Sequence, residues 1–360
     1  MKNAILTWFD FNNYGTKLQA YALQKYLNNN GYETFVVKYL SEKRNNKNKD
    51  IKTKIFNFMI KKSLDKKNKK FENFTNKYIQ LTNQINKEDL EELNSEYDNF
   101  IVGSDQIWNP NFFDETYFLN FVSSNKKLIS YAPSFGVSEI LDEEKKEKIK
   151  LLLKRFNSIS VREEKGSKIV ENLIDYRPKI VLDPTFLLDA GEWTNLIENE
   201  KNIKPKKKKY ILCYFLGEKK FYWEYVKKIK KETGYNVIII PMTRKAYLKN
   251  ERIEKDVGPI DFLNLIKNAE IVCTDSFHGA VFSIIFEKNF SILKRFEDKD
   301  TNSQNSRIDN LVNILGIKEV LVSDNNTDIK ARINNYEKVN NKLKEQIEKS
   351  KMYLKEALEK

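Results

Sequence analysis

Short apolar runs alternate with amphipathic ones along almost all of this 360-residue chain. Residues 4–8, AILTW, read as a strand. They are followed by TKLQAYALQKYLNNNG (16–31), whose apolar positions recur at helical spacing and which stops at Gly31. ETFVVKYL (33–40) is the next strand, and a lysine-rich helical pattern runs from there to about residue 95. YDNFIVGSDQIW (97–108), KKLISYAPSFG (126–136) and FNSISVREEKG (156–166) repeat the scheme, each an apolar run that ends in a polar or glycine-containing turn, and PKIVLDPTFLL (178–188) closes the first half. Such alternation predicts βαβ units around a parallel sheet, and the turns at the strand ends of an open α/β sheet are where ligands lie.

The stretch LLDAGEWTNLIENEKNIKPKKKK (187–209) interrupts the alternation with a polar, lysine-rich connector. A second α/β unit follows: strands in YILCYFL (210–216) and YNVIIIPM (235–242), a helix in PIDFLNLIKNA (259–269), a strand in EIVCTD (270–275), a helix in GAVFSIIFEK (279–288) and a strand in FSILKRF (290–296). The pattern therefore predicts an α/β fold of two Rossmann-like domains facing each other across a cleft. The first spans 1–190 and the second 191–330. Residues 331–360 are highly charged with a thin apolar stripe (Ile333, Tyr336, Val339, Leu343, Ile347, Met352, Leu354), which fits a C-terminal helix packed on the body.

Length supports two cores, and 40% aliphatic and aromatic residues exclude the disordered class. A net charge of +13 invites a nucleic-acid reading. Its clusters, KKSLDKKNKK (61–70) and KPKKKKY (204–210), sit in polar connecting segments, and no nucleic-acid-binding motif accompanies them, so nucleic acid is not an expected partner. Attraction to anionic small molecules or to an anionic membrane surface accounts for the charge equally well. Cys213 and Cys273 lie in apolar strand-like runs, as buried small hydrophobes do, with no disulfide framework or zinc spacing. No secretory signal pattern and no run of membrane-spanning length is present, which points to a cytoplasmic setting, with the inner face of the membrane open as a docking surface.

The dinucleotide fingerprint G-x-G-x-x-G and the phosphate loop ending in G-K-[ST] are both missing, so a bound phosphate must be gripped by side chains and helix N-termini. No Asp/Glu/His cluster has metal-ligand spacing, and no metal is expected. The chain has one histidine, His278, in IVCTDSFHGAVFS (271–283), between a strand and a helix that would begin near Gly279. Thr274, Asp275 and Ser276 offer orienting and phosphate-binding groups beside it, and imidazole is the side chain suited to proton transfer near neutral pH. The plainer reading is a structural histidine that caps the helix. Arg162 follows a strand and precedes a helix, where bidentate recognition of carboxylate or phosphate is useful; an ion pair with Glu163 or Glu164 is the equal alternative. Ser104, Asp105, Gln106 and Trp108 form a polar cluster with a stacking ring, in character a sugar-binding edge or else a capped turn with a packed Trp. Asn12, Asn13 and Gly15 lead into the first helix, where an N-cap turn is the alternative role.

The ordered set NNYGTKLQAYALQ, FIVGSDQIWN, ISYAPSFG, SVREEKG, LDPTFLL and IVCTDSFHGAVFSIIF resembles the polysaccharide pyruvyl transferase family from residue 4 to about 315. The resemblance implies the two-domain architecture of GT-B glycosyltransferases and transfer of a pyruvyl group from phosphoenolpyruvate onto a sugar as a ketal. The sugar would belong to a cell-surface polysaccharide or its precursor, lipid-linked or free. It also implies an arginine for the donor at Arg162 and an R-L-H tripeptide at Ser276, Phe277 and His278. Ser276 stands where relatives carry arginine, and Arg307 is the expected replacement, ahead of Arg295 and Arg244. His278 is then the proton-transfer residue and Asp105 a base toward the acceptor. Asn13, Gly15, Ser104, Gln106 and Trp108 make the acceptor side, and no metal or organic cofactor is needed. A glycosyltransferase using a nucleotide-sugar donor and a non-catalytic binding homologue are the rival readings.

Overall fold

Every strand pair among the described residues is parallel. The structure is a computed structural model, and it describes residues 1–9, 12–39, 56, 58–200, 208–296, 306–324, 333 and 335–359. β1 (Lys2–Leu6), β2 (Glu33–Tyr39), β3 (Leu81–Ile85), β4 (Asn99–Val102) and β5 (Lys127–Ser130) form one sheet in the order β3-β2-β1-β4-β5. A short pair, β6 (Ser160–Val161) and β7 (Lys179–Ile180), continues beyond it through a bridge between Ile129 and Ser158. β8 (Tyr210–Tyr214), β9 (Asn236–Ile240), β10 (Arg252–Ile253), β11 (Ile271–Thr274), β12 (Asn289–Leu293) and β13 (Leu321–Val322) form the second sheet in the order β10-β9-β8-β11-β12-β13. Both sheets have the Rossmann strand order, in which the chain winds outward one way and then the other from the first strand.

Helices cover both faces of each sheet, which is why the central strands read as continuous apolar runs. Ile5 of β1 packs into one core while Ala4 and Leu6 pack into another. In β8, Tyr210, Leu212 and Tyr214 face one cluster, and Ile211 and Cys213 the opposite one. Both cysteines are fully buried, as expected of small hydrophobes. Burial pushes the Cys213 thiol well up and the Cys273 thiol to about 12, so both stay protonated.

Three elements differ from the pattern's expectation. The lysine-rich run 61–70 is the first half of the helix Lys61–Tyr78, in which Lys61, Lys62, Lys66 and Lys69 lie outward while Lys67 turns in over the Tyr14 and Phe71 rings, and the helix ends before an unexpected edge strand, β3. With one neighbour and an exposed middle, β3 needs no apolar run and leaves no strand signature. Part of the expected connector is the helix Ala190–Glu198, set by a capping box between Asp189 and Glu192 and held by buried Trp193, Leu196 and Ile197. The remainder of that connector, 201–207, lies outside the described residues. In the C-terminal helix Tyr336–Glu359 the buried stripe runs Val339, Leu343, Ser350, Tyr353/Leu354, Ala357/Leu358, so Tyr353 rather than Met352 faces inward. The Tyr353 hydroxyl donates to the Ser130 carbonyl at 2.8 Å, and the Leu182 amide donates to Ser350 Oγ at 2.9 Å, bringing this helix back onto the first sheet.

The two sheet units meet through aromatic side chains. Tyr14 opens the helix Tyr14–Asn29, stacks on Phe262 at 4.5 Å and donates its hydroxyl to the Val257 carbonyl at 3.0 Å. This contact fixes the start of the first helix against the second unit. No helix among the described residues is long and apolar enough to cross a membrane.

Candidate active site

The direction of strand order reverses between β1 and β4 in the first sheet and between β8 and β11 in the second, which creates a crevice at each point. A single cavity of about 260 Å³ is lined from both reversal points. Trp8, Asn13, Thr16, Asp105 and Gln106 form its wall in the first unit. Leu216, Ser276, Phe277, His278, Arg295 and Arg307 form the opposite wall.

On the first wall, Asn13 caps the helix Tyr14–Asn29 by accepting from the Thr16 amide at 3.3 Å. Asp105 adopts a left-handed backbone (φ 69°), as Asp tolerates, and its side chain locks the turn. Its Oδ1 accepts from the Gln106 amide at 2.9 Å and its Oδ2 from the Thr16 hydroxyl at 2.8 Å. Gln19 joins the same layer by accepting from the Ser104 amide and donating to the Thr7 hydroxyl. The buried Gln106 Nε2 makes no hydrogen bond.

On the second wall, Ser276 caps the helix Phe277–Ile285, so this helix starts two residues earlier than its sequence suggests and His278 sits in its first turn. Thr274 and Asp275 serve the scaffold: Thr274 Oγ1 donates to the Tyr214 carbonyl, while Asp275 accepts from the Leu216 and Gly217 amides at 2.6 and 2.7 Å. These bonds pin the loop after β8 to the end of β11. Burial raises the Asp275 carboxyl even so.

Cations gather around Phe277. The Arg162 guanidinium lies 4.7 Å from that ring and the Arg307 guanidinium 5.8 Å from it, so one aromatic face system serves two like charges. Arg307, expected to precede a helix, occupies the first turn of the helix Ser306–Leu315. Asn310 in that turn's successor donates to the Arg162 carbonyl at 3.1 Å. Burial, reinforced by repulsion from Arg162, pulls the Arg307 pKa down to about 10. An entering anion would relieve that penalty.

Arg162 is buried, and its close ion pair is with neither neighbouring glutamate. Nη1 donates to Asp183 Oδ2 at 2.8 Å, while Glu163 and Asp105 stand at 3.9 Å. Asp183 is fully buried and also accepts from the Thr185 amide and hydroxyl; His278 Nε2 lies 3.5 Å from its Oδ2. Burial acts to raise the Asp183 carboxyl, but the charge and bonding of His278, then Arg162 and the Thr185 amide, outweigh it and hold the group well below the usual carboxylate range. On its other side the imidazole packs against Gly15, where a Cβ would fall 1.9 Å from Nδ1.

Of the residues singled out from sequence, His278, Ser276, Phe277, Arg307, Asn13, Asp105 and Gln106 line the cavity, with Arg162 immediately behind Phe277. Arg295 lines it too, whereas Arg244 lies elsewhere against Phe56. Gly15 acts as the packing surface for His278. Ser104 is a buried scaffold group that donates to the Ala132 carbonyl. Trp108 is not the expected stacking ring: it is buried in the core, stacked on Phe118 at 5.2 Å, with its indole N–H donating to Tyr117. The ring at the cavity is Trp8, which together with Asp183 and Thr16 was not singled out from sequence. The available signals were the end of a predicted strand for Trp8 and Asp183 and the start of a predicted helix for Thr16.

A larger cavity of about 600 Å³ lies between the helices Lys61–Tyr78 and Pro259–Lys267. Its charges neutralise one another, Lys70 with Asp261 and Lys77 with Glu200, both at 2.8 Å, so the smaller cavity is the candidate site.

A family model described as polysaccharide pyruvyl transferase matches residues 13–294. No curated protein sequence matches the chain. Among solved structures, UDP-GlcNAc 2-epimerase from Methanocaldococcus jannaschii is similar at TM-score 0.54 and 15% identity, covering 96% of this chain and 92% of that one. UDP-GlcNAc 2-epimerase from Neisseria meningitidis, bound to UDP-GlcNAc, is similar at 0.53 and 10%, covering 99% and 94%. An alpha-glucosyltransferase in complex with UDP and a 13-mer DNA is similar at 0.52 and 9%, covering 99% and 98%. These likenesses show a GT-B fold of two Rossmann-like units.

Proposed function

Because the chain belongs to the polysaccharide pyruvyl transferase family, we propose that it transfers a pyruvyl group from phosphoenolpyruvate onto two hydroxyls of a sugar as a ketal. The observation that carries this reading is the division of one cavity into two chemistries. Arg295, Arg307 and the helix N-terminus at Ser276 line one wall with His278, and an indole, a carboxylate and two amides line the other. The first suits a small dianion that needs a proton, and the second suits a sugar.

In the proposed reaction, Arg307 and Arg295 take the phosphate and carboxylate, with Arg162 adding positive field from behind Phe277. This assigns to Arg307 and Arg295 the charge that Ser276 does not supply. His278 gives its proton to the methylene carbon, which becomes the methyl group, and positive charge develops on the adjacent carbon. A sugar hydroxyl attacks that carbon as Asp105 receives its proton. A second hydroxyl then attacks the same carbon as its bond to the phosphate oxygen breaks; that hydroxyl's proton leaves with inorganic phosphate and the proton held by Asp105 returns through solvent to His278, so one phosphoenolpyruvate and one diol give one ketal and one phosphate. Preorganised guanidinium groups stabilise the charge that moves onto the leaving phosphate. The scheme uses no metal and no organic cofactor. We read the acceptor as a sugar of a cell-envelope polysaccharide or of its lipid-linked precursor. The exposed Lys61, Lys62, Lys66 and Lys69 would favour work beside an anionic membrane on its cytoplasmic face.

The test is thermal unfolding of the wild type and His278→Ala with phosphoenolpyruvate or with UDP- and GDP-sugars. A ligand at about 100 times its dissociation constant adds roughly 2.7 kcal/mol. Stabilisation by phosphoenolpyruvate, followed by acceptor-dependent phosphate release in the wild type only, is expected. Stabilisation by nucleotide sugars alone would overturn the proposal in favour of glycosyl transfer.

A further inference from the structure

We propose that Asp183 is the positioning residue of this site: it fixes the ring orientation and tautomer of His278, placing the imidazole proton on Nε2 and leaving Nδ1 as the working nitrogen. A carboxylate has about four acceptor positions. On Asp183, the Thr185 amide (3.1 Å) and hydroxyl (2.8 Å) take two on Oδ1, and Arg162 Nη1 takes one on Oδ2 at 2.8 Å. Ser104 Oγ, 3.3 Å away, has a single proton and a closer acceptor in the Ala132 carbonyl at 2.8 Å. The fourth position is therefore left to His278 Nε2, which stands 3.5 Å away, buried, with no other hydrogen-bond partner.

The rest of the ring is boxed in. Phe277 meets it edge to face at 5.2 Å, and Gly15 packs against the ring so closely that a Cβ there would clash with Nδ1, Cγ and Cε1. His278 lines the cavity beside Asn13 and Thr16, and with Nε2 turned to the buried Asp183 carboxylate, Nδ1 is the ring nitrogen left to serve it. Asp183 and Gly15 come from the first unit and His278 from the second. The arrangement therefore ties proton transfer to correct seating of the two units on each other, while the Arg162 guanidinium, gripped by the same carboxylate, is oriented with it.

The inference rests on the pyruvyl-transfer reading only where His278 gives up its proton. The tautomer is measured without any substrate. In the tag-free, ¹⁵N-labelled chain His278 is the only histidine, so its two ring nitrogens give one assignable pair of NMR signals. At a pH where the ring is neutral, the wild type is expected to show a protonated Nε2 and a bare Nδ1. Asp183→Asn, whose amide presents donors as well as an acceptor, should shift the pair toward a mixture, and Asp183→Glu should restore it in part. With phosphoenolpyruvate and acceptor, Asp183→Asn should lower kcat by about 10²- to 10⁴-fold, the span of a general acid–base contribution, with a smaller change in KM. A wild-type ring protonated at Nδ1 overturns the proposal whether or not the variants fold, and so do identical nitrogen signals in wild type and Asp183→Asn. Loss of all turnover with the expected signals intact would count against the reaction and leave the positioning role standing.

Discussion

Gly15→Ala isolates the contact that holds His278. Position 15 is the second residue of the helix Tyr14–Asn29, where alanine is ordinarily favoured over glycine by roughly 0.5–1 kcal/mol. The added Cβ would have His278 Nδ1, Cγ and Cε1 as its three nearest atoms, at 1.9, 2.3 and 2.5 Å, against an ordinary contact of at least 3.4 Å. The imidazole must therefore retreat by roughly 1.5 Å or the helix must shift, and overpacking of this kind costs about 1–3 kcal/mol. Set against the helical gain, the net change in the wild-type background is a destabilisation of about 1–2 kcal/mol. In a His278→Ala background the obstruction is gone, and the same substitution should stabilise by about 0.5–1 kcal/mol. The two values give a coupling energy of about 2 kcal/mol, readable from denaturant unfolding of the four proteins in the cycle. Pyruvyl transfer by Gly15→Ala should fall at least about 10²-fold, as for a displaced acid–base group. Equal costs in both backgrounds would refute the reasoning, because the added methyl would then be striking something other than the imidazole.

Three further outcomes are expected. Arg307→Gln should weaken phosphoenolpyruvate binding about 10- to 100-fold, the worth of a charge-assisted hydrogen bond, and should not lower the unfolding temperature of the free protein, since burial and Arg162 already disfavour that charge; a less stable variant with unchanged affinity would contradict this. Trp8→Ala should raise the KM for acceptor with little change in that for phosphoenolpyruvate, whereas Trp108→Ala should cost about 3–5 kcal/mol of stability, and acceptor kinetics together with urea midpoints separate the two roles. Lys67 is held over the Tyr14 and Phe71 rings, and burial pulls its pKa from 10.5 down to about 8. The folded chain thus binds this proton less readily than the unfolded chain, so the penalty is present in full below pH 8 and is relieved as pH rises toward 10.5. Lys67→Met should stabilise by about 2 kcal/mol at pH 7, with the advantage shrinking between pH 8 and 10.5 in unfolding measurements; a constant advantage across that range would exclude burial of the charge as its cause.

What could be read from the chain before folding, and what could not, divides along a physical line. His278 and Arg162 were legible because each lies where an apolar run gives way to a helical one, and a parallel sheet presents such places to its ligand crevice. Gln106 and Asn13 were legible for the same reason. A strand end does not say which way a side chain turns. Trp108 and Trp8 both follow strand ends in the first sheet, yet the turn around left-handed Asp105 sends Trp108 into the core against Phe118, while Trp8 stays at the cavity. That choice depends on the Thr16 and Gln19 side chains that brace the turn from a separate helix, so no local pattern encodes it.

Asp183 was hidden for a different reason. In LDPTF it reads as an N-cap before a proline, and it is one, accepting from the Thr185 amide. Its second role arises only when strand order carries three distant segments to one point: Arg162 from the end of β6, Asp183 from beyond β7, and His278 from the end of β11 in the other unit. Each segment obeys a local rule that is complete in itself, a strand end, a cap and a capped helix. Nothing in any of them is left unexplained in sequence, so nothing signals that they meet. The unmet Arg162 nitrogens, and a His278 Nε2 whose one acceptor is Asp183 at 3.5 Å, become visible only after the meeting, and these buried, incompletely bonded groups mark the site for function where a fully satisfied core would have marked it for stability.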